Sequence, residues 1–398
     1  MIGLVLEGGG AKGAYQIGAY RALKELGIEI DAAVGTSIGA VNAAIIVQGD
    51  GDKAWDIWSN IRSSSLFDID YDIEEELRKD GVTLKNIGYL ASKFGQIVKQ
   101  GGVDTSHMME FLKEHISERA IRESEMDFGL VTGSLTSMKP LELMKEDIPE
   151  GEMLRYIVAS ATFPVFKAQK IDGKRLVDGG LWNNVPVSLL LDRGYEMLIV
   201  VRTHSIGKQR KVVDSGETII EIAPTDKLGA VLDFNEDTAR HDLNLGYYDT
   251  LKLFKEFRGT FYYIKPHPDG SWFFNKIART DPDRIRKLAD LLGIDDPMPP
   301  KRLLFEKIIP RLASTFNMKS GMDYEDLVLA IYEVVARSAE MEQFRIYDSE
   351  EFISKVELFR AEKHEFPKWV PNFVKTSPQL SKLIRTDILN ALLEIIFS

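Results

Sequence analysis

Short apolar runs alternate with amphipathic stretches through the first part of the chain. Residues 2–6 (IGLVL) form a continuous apolar run of strand length, the pattern of a strand buried on both faces of a parallel sheet. From Ala14 to Leu26 the apolar positions Ile17, Tyr20, Ala22, Leu23 and Leu26 recur at helical spacing, and Gly27 ends the stretch. Residues 31–35 (DAAVG) read as a second strand, and the small-residue run IGAVNAAIIVQG from Ile38 as a second helix. Strand, helix, strand, helix in so short a span predicts a βαβ unit. The sheet pattern resumes at DFGLVTGSL (127–135), RLVDGG (175–180), MLIVVRTH (197–204) and FYYIKPH (261–267). After about residue 280 no further strand is expected. Five stretches there, from PDRIRKLADLLG to SPQLSKLIRTDILNALLEIIF, have helical periodicity.

Residues 50–102 break the alternation. Trp55, Ile57, Trp58, Leu66 and Phe67 are scattered among polar residues, which suggests an insertion or a cover over a site. The expected organisation is therefore an α/β domain over 1–280 and a helical region over 281–398, with no internal repeat.

Composition narrows the function classes. A net charge of −11 argues against a nucleic-acid binder and against broad attraction to anionic lipid. The absence of cysteine removes disulfides, thiolate zinc sites, iron–sulfur clusters and a cysteine nucleophile. No apolar run approaches the ~20 residues that span a bilayer. Because Ile2–Leu6 reads as a strand rather than a leader, a cytoplasmic location is expected, peripheral to the membrane at most. No metal or cofactor motif stands out; Asp68, Asp70 and Asp72 have calcium-loop spacing, but Ile73 replaces the required glycine.

Two glycine-rich turns follow the first two strands. Gly8, Gly10 and Gly13 satisfy G-x-G-x-x-G, which can cradle a dinucleotide pyrophosphate or offer bare N–H groups to another anion. A dinucleotide site expects an acidic residue at the carboxyl end of the next strand. Asp31 lies before that strand, and its carboxyl end carries Gly35-Thr36-Ser37-Ile38-Gly39. This G-x-S-x-G stretch between strand and helix can hold a serine hydroxyl clear of the sheet on a strained backbone. Gly8, Gly9 and Gly10 then suit an oxyanion hole better than a phosphate loop. A nucleotide-binding α/β module remains the alternative. None of His107, His115, His204, His241, His267 and His364 lies in a catalytic-looking loop. Asp178, before Gly179 and Gly180, can serve as general base if burial raises its pKa, although on this pair alone an ordinary Asp-Gly turn is the better explanation.

The ordered set GGGAKG, GTSIG and DGG, with ASATFPVF ahead of the DGG, resembles the patatin-like phospholipases over roughly residues 1–205. The resemblance implies a three-layer α/β/α core with a mostly parallel sheet and a Ser–Asp dyad without histidine. By motif position it makes Ser37 the nucleophile, Asp178 the base and Gly8, Gly9 and Gly10 the oxyanion hole. Lys12 stands where that family has Arg or Lys, and Gly13, Gly35, Gly39, Gly179 and Gly180 support the motifs. The implied activity is hydrolysis of lipid or phospholipid esters without metal or cofactor. Head group and chain length stay open, as does the need for an activator. The stretch from Phe366 to Phe397, with Trp369 and Phe373 among Lys368, Lys375, Lys382 and Arg385, has an apolar stripe that core, a homo-oligomer or lipid has to cover.

Overall fold

The computed structural model describes residues 1–62, 66, 106–162, 167–210 and 216–362. The chain divides into two compact units, Met1–Leu253 and Phe254–Ser398. The second unit thus begins ahead of the boundary expected at 280.

The first unit is a mixed α/β structure on an eight-stranded, mostly parallel sheet. Its strands are β1 (Ile2–Leu6), β2 (Ala32–Thr36), β3 (Asp127–Ser134), β4 (Lys139–Met144), β5 (Gln169–Ile171), β6 (Lys174–Asp178), β7 (Met197–Val201) and β8 (Thr218–Ile222). They lie in the order β5-β6-β3-β2-β1-β7-β8, with β4 also on β3. The pairs β3–β4, β3–β6 and β5–β6 are antiparallel. The helices used below are α1 (Gly13–Glu25), α2 (Ile38–Val47), α3 (Gly51–Ser59), α4 (Ser106–His115), α5 (Met153–Ser160), α6 (Val187–Leu191) and α7 (Glu236–Lys255).

Alternation along the central strands builds the layers. Val5, Val34, Val131 and Val200 share one face and form a buried cluster with Val187, Leu189 and Leu190 of α6. The intervening Leu4, Leu6, Ala33 and Ile199 are equally buried, on the face where α2 crosses β1, β2 and β3. Continuous apolar runs therefore mark strands covered on both sides. Strands β4, β5 and β8 were not legible from the pattern. They lie toward the margins of the sheet, and exposed Lys139, Pro140, Lys170 and Thr218 dilute their periodicity.

The second unit is mostly helical, but it corrects the expectation that strands stop after 280. Ile346–Asp348 pairs in parallel with Tyr263–Lys265. Tyr347 is driven there by burial, edge-on to Tyr262 and Phe352 in the unit's core. Three residues are too few to show a period of two. The core helix Tyr324–Ser338 opens on a capping box between Asp323 and Asp326. No described helix is long and apolar enough to cross a membrane. The stretch from Phe366 to Phe397, which contains the last expected helix from Ser377, and most of the 50–102 insertion fall outside the described residues.

Candidate active site

Ser37 follows the last residue of β2 directly and precedes α2. Its backbone is held at φ 56° and ψ −126°, a left-handed conformation costing a non-glycine residue about 1–3 kcal/mol. The surroundings enforce it. The Ser37 N–H donates to Ser160 Oγ at 2.9 Å, and that hydroxyl donates to the Val131 carbonyl at 2.6 Å. A Cβ on Gly35 would run into the Gly39 carbonyl, and one on Gly39 into the Leu6 carbonyl. The strand-to-helix turn closes this tightly only with glycine at both positions. Ser37 occupies the N-cap position of α2 yet makes no capping bond, so its hydroxyl is left for another partner.

Asp178 lines the same cavity as Ser37, and the sheet register explains how the two come together. Strand β3 is longer than β2 and carries two strands on one edge. Its Val131 is opposite Thr36, the last residue of β2, and its next residue, Thr132, is opposite Asp178, the last residue of β6. Strand β2 runs parallel to β3 and β6 antiparallel, so their carboxyl ends approach each other head-on. Asp178 is 6% exposed. Burial pushes its carboxyl up to about 6, while hydrogen bonding with the Ser37 side chain and with the Gly180 N–H lowers it. The Gly180 bond is 2.7 Å long. Gly179 lies so close to the Val131 carbonyl that a Cβ would collide with it.

The glycine loop lies beside this pair, with a division of labour that the sequence did not reveal. The Gly8 N–H is already committed to the Asn184 carbonyl at 3.1 Å, which corrects the expectation that it is a free donor. Among the described residues the N–H groups of Gly9 and Gly10 have no acceptor. Gly10 has φ 58°, and a Cβ there would meet the Val231 carbonyl, which accepts the Ala11 N–H at 2.7 Å. Gly13 packs against Ile38 and Trp58. Lys12 Nζ donates to the Thr203 carbonyl at 3.3 Å. Burial lowers its pKa, while Glu7 and Asp242 pull it upward. Glu7 anchors the facing loop by accepting the Thr203 and His204 N–H groups and pairing with Arg202.

Two contributors were missed because nothing local marks them. The buried Asp242 of α7 accepts the Gly229 N–H at 3.2 Å and so fixes the segment whose Val231 holds Ala11. Ser160 lies in the quoted ASATFPVF block, but its bond to Ser37 spans strands that only the fold brings together. Asp31, the acid a nucleotide reading would use, accepts the Ile2 N–H at 2.6 Å at the opposite end of β2. Ser37 and Asp178 open on a cavity of about 70 Å³ whose described lining is otherwise apolar apart from Gly10; it includes Val41, Ile45, Trp58, Met108, Leu112 and Phe234. No histidine is among these lining residues.

A sequence profile for patatin-like phospholipase matches residues 4–191. Lysophospholipase NTE1 of Kluyveromyces lactis is 28% identical over 210 residues, covering 52% of this chain and 13% of that protein. Patatin-like phospholipase domain-containing protein 7 of Mus musculus is 27% identical over 205 residues, covering 50% of this chain and 13% of that protein. Among solved structures, VipD from Legionella pneumophila aligns over 100% of this chain and 91% of that one, with 16% identity and a TM-score of 0.41. The match thus spans about an eighth of the length of these curated relatives.

Proposed function

Through residues 4–191 the chain belongs to the patatin-like phospholipase family, and from that premise we propose that it is a serine acyl hydrolase acting on lipid esters through Ser37 and Asp178. The observation that carries this reading is the head-on approach of β2 and β6 along β3, which sets the Ser37 hydroxyl against a buried carboxyl poised near 6. A general base works best with a pKa near the operating pH. An exposed aspartate, near ~3.9, is too weak.

In the proposed reaction Asp178 takes the hydroxyl proton as Ser37 Oγ bonds to the ester carbonyl carbon. The oxyanion of the tetrahedral intermediate is met by the Gly9 and Gly10 N–H groups and by the positive end of α2. Collapse breaks the bond to the alcohol oxygen, which leaves with the proton from Asp178. Water then attacks the acyl-Ser37 carbonyl carbon and gives its proton to the same carboxylate; collapse breaks the Ser37 Oγ–acyl bond, Oγ takes that proton back from Asp178, and the fatty acid leaves. Gly8 holds the loop through Asn184 rather than donating to the oxyanion.

The relatives' names point to phospholipid or lysophospholipid as the substrate. The test is release of fatty acid from phosphatidylcholine and lysophosphatidylcholine by the purified protein in the presence of a chelator. Turnover by wild type, lost in Ser37→Ala, supports the proposal. Equal rates in the two proteins overturn it.

A further inference from the structure

The cavity behind Ser37 is built like a measured slot. Its walls are helix stripes: Ile38, Val41 and Ile45 on α2, and Met108, Phe111 and Leu112 on α4. On α2 the spacing is i, i+3, i+7, which is one helical face running away from the serine. The α3 side is stiff. Trp58 Nε1 donates to Asn42 Oδ1 at 3.0 Å, and its ring stacks on Phe234 with centroids 6.2 Å apart. Among the described residues Ile45 is the last of α2 to line the slot, and one turn further on Gln48 ties α2 to the end of α4. Its amide donates to the His115 carbonyl at 2.7 Å and accepts the Ser117 N–H at 2.9 Å.

The length of the lining stripe gives the size of the occupant. Eight residues from Ser37 to Ile45 at 1.5 Å rise make a path of about 12 Å, which takes roughly nine carbons of an extended chain. The cavity volume is small, about 70 Å³. Length and volume together suit one acyl chain of medium length.

Resting on the reading of Ser37 as nucleophile, we infer that this slot selects esters of a single medium-length acyl chain, roughly six to nine carbons, with Ile45 and Leu112 as its floor. The alcohol portion stays outside. Each methylene up to the floor adds buried apolar surface, worth about 0.8 kcal/mol or close to fourfold in kcat/KM, and carbons beyond the floor add nothing.

The experiment is a p-nitrophenyl ester series from two to sixteen carbons on wild type, Ile45→Ala, Leu112→Ala and Ile45→Phe. Wild-type kcat/KM should climb to a maximum at about six to nine carbons. Both alanine variants should move the maximum two or three carbons longer, and Ile45→Phe should move it shorter. Opposite shifts cannot come from loss of folded protein, which lowers all rates together. A rise that continues to sixteen carbons in wild type, or a maximum that none of the three substitutions moves, overturns the slot while leaving the Ser37 reading standing. No turnover of any ester, with Ser37 unreactive toward a fluorophosphonate, removes both.

Discussion

Replacing Asp178 by Asn should make the protein more stable while disabling it, with a pH dependence that identifies the cause. In the fold burial raises the carboxyl from its ordinary 3.8 to about 6. Below 3.8 the group is neutral folded and unfolded, and it contributes no difference. As pH rises through about 6, the folded protein acquires a buried charge that the unfolded chain carries at far less cost, so stability falls. The interval from 3.8 to about 6, at 1.36 kcal/mol per pH unit, makes that penalty about 3 kcal/mol above pH 7. Asn matches the size, carries no charge and keeps an oxygen for the Gly180 N–H. Asp178→Asn should therefore melt above wild type at pH 8, by roughly 6–12 °C at about 2–4 °C per kcal/mol for a unit of this length. The gap should close as pH falls from 6 toward 4. The assay is paired calorimetry of both proteins from pH 4.5 to 8, with activity measured in parallel and expected to drop about 10²–10⁴-fold. A variant that melts at or below wild type at pH 8, or a gap that ignores pH, would refute the buried-charge reasoning.

Other outcomes follow from the same geometry. The kcat/KM profile should have an acid limb near 6 that belongs to Asp178; single replacement of each of the six histidines should leave that limb in place, and a histidine variant that loses it would reassign the base. Gly10→Val puts a Cβ against the Val231 carbonyl at φ 58° and should reduce turnover about 10²-fold or more, whereas wild-type rates would mean the loop faces no oxyanion. Asp242→Ala frees the Gly229–Val231 segment and should lower kcat by up to about 10²-fold; Asp242→Asn, which keeps an acceptor for the Gly229 N–H, should recover most of it. If the Ala and Asn variants are equally active, Asp242 does not position the loop.

Much of the candidate site was legible in the sequence because its chemistry lies in short motifs. Ser37 between two glycines needs only the strand and helix on either side of it. Asp178 was legible only as the member of an ordered set of motifs. What brings it to Ser37 is that β3 outruns β2 by enough residues to pair with β6 on the same edge, a long-range register that no local pattern encodes. The same limit explains Gly8, whose N–H is taken by Asn184, and Val231 and Asp242, which lie beyond every motif. Edge strands β4 and β8 and the three-residue strand at Ile346 were lost to polar dilution and shortness rather than to contrary propensity.

The most direct test of the central claim is reaction with a fluorophosphonate followed by mass mapping of the adduct in wild type, Ser37→Ala and Asp178→Asn. A serine activated by its neighbouring carboxylate should be modified stoichiometrically at Ser37 in wild type, not at all in Ser37→Ala, and far more slowly in Asp178→Asn. An adduct on a different residue, or modification of Ser37 at the same rate with and without the Asp178 carboxylate, would contradict it.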